Sequence, residues 1–359
     1  MTLTSIRRAA AGPPRPVRRT IASPAATVLA GLALVAVSLV AVGIGPVLVD
    51  PTTTLRIVLA HALPGDRVAD WSAVDDQIVW TFRLPRVLLA ALVGASLALV
   101  GVVLQAIVRN PLADPYVLGA SSGAALGAVS ALVLGAAVPG LLVTSAAFGG
   151  AALAGVVVYV LASRGGRIES LRLVLAGVAL SYLMSAITGW ITTTAEHGKL
   201  PGLLFFLLGS ISSAGWSSLP LPLACLVVGL GWTLARHRHL DAALTGDETA
   251  ASLGVDMTRL RVESLVLTAL MTGAVVAVAG GIGFVGMVVP HVCRLLVGAR
   301  HRVLVPLAVL VGALLVVLVD TIARTAASPR EIPLGVVTAL VGAPFFLWLL
   351  RRRPVGGTA

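Results

Sequence analysis

Apolar residues fill this chain in long unbroken runs, and polar residues come in short clusters between them. The runs stand near 26–49, 86–108, 115–136, 140–162, 171–194, 217–235, 262–280, 284–298, 303–323 and 333–350. A helix needs roughly 20 apolar residues to cross the hydrocarbon core of a bilayer, so the pattern predicts ten membrane-spanning helices. The eighth run is short and is interrupted by Pro290. The stretch 202–213, GLLFFLLGSISS, is apolar but too short to cross, and it predicts a short helix at the outer face. The fold class is therefore an all-α integral membrane protein. One transmembrane domain is expected over 26–350, between a basic, disordered tail at 1–25 and a C-terminal tail at 351–359.

Composition agrees with this reading. Hydrophobic residues make up 58% of the chain and charged residues 11%, and the mean hydropathy is +1.01. Soluble domains carry about one quarter charged residues. The net charge of +11 could suggest nucleic acid, but membrane proteins concentrate Arg and Lys in cytoplasmic loops. With the N-terminus inside, ten crossings place nineteen of the 26 basic residues on the cytoplasmic side and seven outside. Both termini are then cytoplasmic, and no nucleic-acid partner is expected. The first apolar run is long and lacks a clear small-residue cleavage site, so it reads as an uncleaved span rather than a signal peptide. Cys225 and Cys293 lie in apolar runs and form neither a disulfide framework nor a zinc site.

One cytoplasmic loop stands apart. LTGDETAASLGVDMTRLR, 244–261, is polar in an otherwise oily chain. Thr245 and Glu248 have the spacing of a capping box. Asp247 and Glu248 suit the positive end of a helix dipole, and Gly254 is a stop signal after Leu253. A helix of about two turns is expected over 246–253. A helix that short is marginal alone in water, so it must pack on something: its own membrane domain or a partner. Ala250 and Leu253 offer the apolar contact.

The chain carries no engine of its own. It has no G-x-x-x-x-G-K-[ST] phosphate loop and no H-E-x-x-H. GASSG, 119–123, matches G-x-S-x-G around Ser121, but it opens a membrane helix, and Gly119, Gly123 and Gly127 read better as a small-residue stripe for close helix approach. Asp320 is the main acid inside a span. Arg324 lies four residues on, so the two can satisfy each other along one helix face. That leaves little for a proton relay.

Three stretches resemble the permeases of ATP-driven importers for iron–siderophore chelates, haem and vitamin B12. They are RLPRVLLAALVGASLALVGVVLQAIVRNPLADPYVLGASSGAALGA (83–128), GDETAASLGVDMTRLR (246–261) and the run from GGIGFVGMVVPHVCRLL to PFFLWLL (280–350). The resemblance implies ten helices per subunit and a path between two permease subunits, identical or homologous. It also implies two cytoplasmic ATPase subunits that bind ATP and Mg, and an external substrate-binding protein. No catalytic residue, metal or cofactor is then expected in this chain. The loop before the seventh span becomes the coupling helix that docks into the ATPase, through Asp247, Glu248, Thr249, Ala250, Leu253 and Gly254. Arg83, Arg86 and Arg324 would meet acidic residues of the binding protein; contact with lipid headgroups is the plainer reading of such residues. Asn110 and Leu112 in RNPLADP, with Ser170 in IESLR, match the cytoplasmic gate, although Glu169 and Leu171 depart from the pattern. Iron–siderophore is the expected cargo, with cobalamin and haem as alternatives. A secondary transporter independent of ATP is the rival from another class, and a hydrolase using Ser121 a third.

Overall fold

In the computed structural model, residues 23–45, 47–63, 70–115, 119–134, 141–164, 167–168 and 170–352 are described. The expected tail at 1–25 falls outside them except for its last three residues. Glu169 and residues from 353 onward also fall outside. Ser170 is described in its backbone alone.

The predicted runs are helices. They are α1 (Ser23–Gly43), α4 (Leu84–Val108), α5 (Ala120–Val133), α6 (Leu141–Ala162), α7 (Ser170–Thr193), α9 (Pro220–Ala235), α12 (Met257–Ala279), α13 (Val285–Val297), α14 (His301–Thr325) and α15 (Leu334–Arg352). Among the described residues, seven helical stretches are long and apolar enough to cross a membrane, and α5, α13 and α15 are the shorter apolar helices that complete the expected ten. Between them lie α2 (Pro51–Ala62), α3 (Ala73–Asp76), α8 (Leu200–Leu207), α10 (His237–Ala243) and α11 (Asp247–Ser252). A two-residue antiparallel ladder, β1 (Ser163–Arg164) with β2 (Arg167–Ile168), precedes α7. The apolar stretch expected at the outer face is α8. Pro290 stays inside α13 without ending it.

Several boundaries differ from the sequence reading: α5 starts at Ala120 rather than 115 and α12 at Met257 rather than 262, and two differences have a clear local cause. The first helix stops at Gly43 rather than running to 49, and α2 begins after Asp50, whose side chain caps it by accepting from the Thr52 and Thr53 N–H groups. The second span begins earlier than expected, because 77–83 is a π-helix that joins α3 to α4. Pro85 has no N–H for the carbonyl four residues back. The turn widens, and the Leu84 N–H reaches Val79 O instead.

Small residues set the packing. Helix α4 is buried along most of its length, and glycines let its neighbours touch it. A Cβ on Gly94 would lie 2.1 Å from Gly312 O on α14, and one on Gly101 would lie 1.8 Å from Gly286 O on α13. The α5–α6 contact is of the same kind: Cβ atoms on Gly123 and Gly127 would meet Gly150 O and Ala146 O at 2.4 and 2.0 Å. The GASSG stretch is therefore a packing surface, as expected for Gly123 and Gly127. Gly119 does something else, capping α5 at φ 81. The Ser121 hydroxyl is buried, and among the described residues it has no hydrogen-bond partner and no base beside it.

Three non-helical backbone segments meet at α8. Gly281 N–H donates to Phe206 O, Ser210 N–H to Ala279 O, Leu334 N–H to Gly209 O and Gly335 N–H to Leu208 O. Gly209 (φ 79) and Gly280 (φ 64) are left-handed there, and a Cβ on Gly280 would sit 1.9 Å from Phe206 O. Only glycine fits that junction.

Candidate functional site

The polar loop folds as α10, α11 and the start of α12. Helix α11 is six residues long, one turn and a half. Its start is not the expected capping box. Thr245 Oγ donates to Ala242 O, 2.7 Å away, and the residue before α11 is Gly246 at φ 108, with no side-chain cap. Gly246 breaks the register that Thr245 and Glu248 would need. The stop is as expected: Gly254 is left-handed at φ 79, with Val255 N–H on Ala250 O and Gly254 N–H on Ala251 O, a Schellman closure.

One side of α11 is fixed to the chain. Ala250 is fully buried, and Val255 packs below it. Asp247 accepts two bonds from the Arg261 guanidinium on α12, at 2.9 and 3.0 Å. Arg109 at the end of α4 adds a contact to Asp247 at 3.3 Å. Asp247 thus faces its own chain. The other side is bare: Glu248, Thr249, Ser252 and Gly254 are exposed, and Leu253 is 65% exposed. Ala250 and Leu253, expected to form one contact surface, point to opposite surroundings.

Helix α10 braces this loop. Asp241 Oδ1 accepts from the His301 backbone N–H at 2.9 Å and lies 2.6 Å from His301 Nδ1. Burial pushes the Asp241 carboxyl up, but the hydrogen bonds from His301 outweigh it, and the group sits below its ordinary value.

Beside α11 runs the 109–115 connection. Asn110 Oδ1 accepts from the Leu112 N–H at 2.9 Å, and Ala113 N–H donates to Asn110 O at 3.1 Å. Asn110 is thus the residue that shapes the turn around Pro111. Gln105 holds this turn against α13 by donating to Gly286 O at 3.0 Å and Ala113 O at 3.4 Å, while Arg294 donates to its side-chain oxygen. Leu112 and Asp114 reach the wall of a cavity of about 730 Å³, together with Phe284, Met287, Gly335 and Leu340. Ser170 is the first residue of α7.

At the opposite end of α4 the structure brings the three expected docking arginines together and turns them inward. Arg83 is 7% exposed and donates to Val42 O and Gly43 O at 3.2 and 2.9 Å, and also to Val47 O. Arg324 is 3% exposed and donates to Ile44 O at 2.8 Å and to Ala41 O. Both are spent on the carbonyls of the α1–α2 turn, which sequence spacing does not reveal. Arg324 also lies 3.3 Å from Asp320, the expected i,i+4 pair. Arg86 binds Asp320 at 2.9 Å and Glu331 at 2.8 and 3.0 Å. In this chain alone, all three guanidinium groups are occupied by internal partners. Arg109, Arg261 and Glu331 carry contacts that the sequence does not mark: Arg109 and Glu331 pair with residues far along the chain, and Arg261 pairs with Asp247 at a separation of 14 that no helix spacing rule covers.

Among the described residues, ten apolar helices form the bundle, with a small polar helix fixed to one end, the architecture expected of a transport permease. A solved structure of a metal-chelate type ABC transporter in an inward-facing conformation has this fold, with a TM-score of 0.80 and 32% identity over 92% of this chain and 100% of that one. The model of the FecCD transport family matches residues 33–352, and the chain belongs to that family.

Its relatives are named for several cargoes. The cobalamin import system permease protein BtuC of Halobacterium salinarum is 41% identical over 91% of this chain and 95% of its own length. The Fe(3+)-citrate import system permease protein YfmD of Bacillus subtilis is 40% identical over 79% and 84%, and the hemin transport system permease protein HmuU of Yersinia pestis 40% over 79% and 87%. The chain is therefore a multi-pass membrane permease subunit of an ABC importer. That role implies ATPase and substrate-binding partners, and the subunits it resembles are not themselves enzymes.

Proposed function

We propose that this permease moves a ferric siderophore across the cytoplasmic membrane, with α11 and both termini on the cytoplasmic side. The excess of Arg on the loops at the α11 end supports that orientation. Two ATPase subunits hydrolyse ATP with Mg and grip α11. A second permease copy, identical or homologous, completes the path. An external binding protein delivers the cargo at the α8 end. The observation that carries this reading is α11: a helix held rigid on one side, with Leu253 bare on the other. A fixed apolar knob in a polar rim has the form of an anchor for a partner's socket.

The coupling contact falls on Glu248, Thr249, Leu253 and Gly254, with Asp247 and Ala250 holding them in place. Asn110 and Leu112, with Ser170, form the gate on the same side. Arg83, Arg86 and Arg324 dock the external protein by exchanging their internal partners for its carboxylates, and Arg86 lies nearest the surface, since its partner Glu331 is one-third exposed. The largely apolar cavity suits a bulky chelate that slides past without a tight site, and relatives named for ferric citrate, hemin and cobalamin share that bulk. The rival carrier independent of ATP would need a buried proton relay, and Asp320 is tied up by Arg86 and Arg324.

The test is uptake into vesicles holding the permease, its ATPase and the binding protein. Radio-iron on a ferric hydroxamate siderophore should enter only with ATP. Uptake that persists without ATP overturns the importer reading. ATP-dependent uptake of cyanocobalamin or haemin, with none of the siderophore, overturns the cargo alone.

A further inference from the structure

Asp247 is a shared group. Its Oδ1 lies 2.9 Å from Arg261 Nη2 and 3.3 Å from Arg109 Nη2. Arg261 roots α11 on α12. Arg109 belongs to another part of the molecule: it caps α4 in a left-handed conformation, φ 55 and ψ 34. A non-glycine residue is uncommon there. A Cβ on Gly246, the residue that opens α11, would lie 3.3 Å from Arg109 Nη1. The Arg109 guanidinium therefore rests against the first turn of α11. Its backbone begins the turn that carries Leu112 and Asp114 to the cavity.

We infer that Arg109 is a positioning residue that transmits displacement of α11 to the 109–115 turn, a strut between the coupling helix and the cavity wall. The inference rests on the coupling reading of α11 and names the residue that joins that helix to the gate. The pair is poorly placed to stabilise the fold. The side chains of Arg109 and Asp247 are 38% and 44% exposed, and water screens such pairs. What the contact supplies is direction: a planar guanidinium donates along fixed lines and resists sideways slip better than an ammonium. The far end of the strut is stiff as well. The Asn110 side chain, the Ala113–Asn110 backbone bond and the Gln105 bridge tie 110–113 into one unit. A push on Arg109 moves Leu112.

The test uses the whole importer in vesicles, with whichever of ferric hydroxamate, cyanocobalamin or haemin the wild type takes up. Arg109→Gln removes the strut and leaves the Asp247–Arg261 pair intact. The ATPase should co-purify at the wild-type ratio and keep hydrolysing ATP, while cargo moved per ATP falls by about fivefold or more. Arg109→Lys should recover part of that loss. Unchanged cargo per ATP in Arg109→Gln overturns the inference, and so does loss of the ATPase, which would make Arg109 a docking residue. Wild-type uptake without ATP would instead remove the coupling reading beneath it.

A second measurement needs no change at Arg109. Spin labels at Leu112→Cys and Ser252→Cys, with Cys225 and Cys293 replaced by Ser, should keep one separation with and without bound nucleotide. A change of about a helical turn, ~5 Å, overturns the strut.

Discussion

Replacing Gly101 with alanine tests how α4 holds the bundle together. The new Cβ would lie 1.8 Å from Gly286 O, 2.6 Å from its carbonyl carbon and 2.7 Å from its Cα, all of them backbone atoms of α13. Ordinary contact begins at 3.4 Å, so the two helices must part by about 1.6 Å. One turn along α4, Gln105 donates to the same Gly286 O at 3.0 Å, and a separation of that size takes the bond out of range. Overpacking costs about 1–3 kcal/mol, and an unmade buried hydrogen bond about 1–3 kcal/mol more. The sum is about 2–6 kcal/mol. Thermal unfolding in detergent should show a midpoint lower by on the order of 5 °C or more, with reduced accumulation in membranes. Gly149, Gly189 and Gly231 are the controls. A Cβ on any of them meets nothing within 4 Å, and alanine there should be neutral or stabilise by about 0.5–1 kcal/mol. If Gly101→Ala melts with these controls, backbone contact between α4 and α13 does not hold the bundle.

Three further outcomes follow from the site. Leu253→Asp should leave the melting midpoint within about 0.5 kcal/mol of wild type, as expected for an exposed position, yet abolish co-purification with the ATPase; retained association would refute the knob. Arg83→Met leaves Val42 O, Gly43 O and Val47 O without their donor and should cost about 1–3 kcal/mol, read as a lowered midpoint in the isolated permease. A variant of wild-type stability with weakened binding-protein affinity would restore Arg83 to the outer surface. Because the Asp241 carboxyl is held below its ordinary value of 3.8 by His301, its contribution is complete above about pH 3.8 and is lost as the pH falls through its lower folded value. Melting curves from pH 6 to pH 3 should therefore show an acid limb that flattens in Asp241→Asn.

The spans were legible because the bilayer imposes length and composition on any helix that crosses it, and the ten runs needed no tertiary information. The stop of α11 was legible for a similar reason: Gly254 after Leu253 fits a left-handed closure made by neighbours in sequence. The start was not, because Gly246 at φ 108 outweighs the Thr245–Glu248 spacing. Asp320 and Arg324 were readable as an i,i+4 pair. The burial of Arg83 depends on the widened turn before Pro85 and on carbonyls some forty residues earlier. The Arg86–Glu331 contact spans 245 residues. Long-range ion pairs obey the fold, and the fold must be known first.

The glycine junction at α8 has a consequence for how such proteins diversify. Three separate stretches are stitched there by main-chain bonds rather than by side chains, so they form one stiff plate. The contour of that plate belongs to the backbone and survives substitution of neighbours such as Val336 and Leu340. Lineages can repaint the cavity wall without redrafting the masonry behind it.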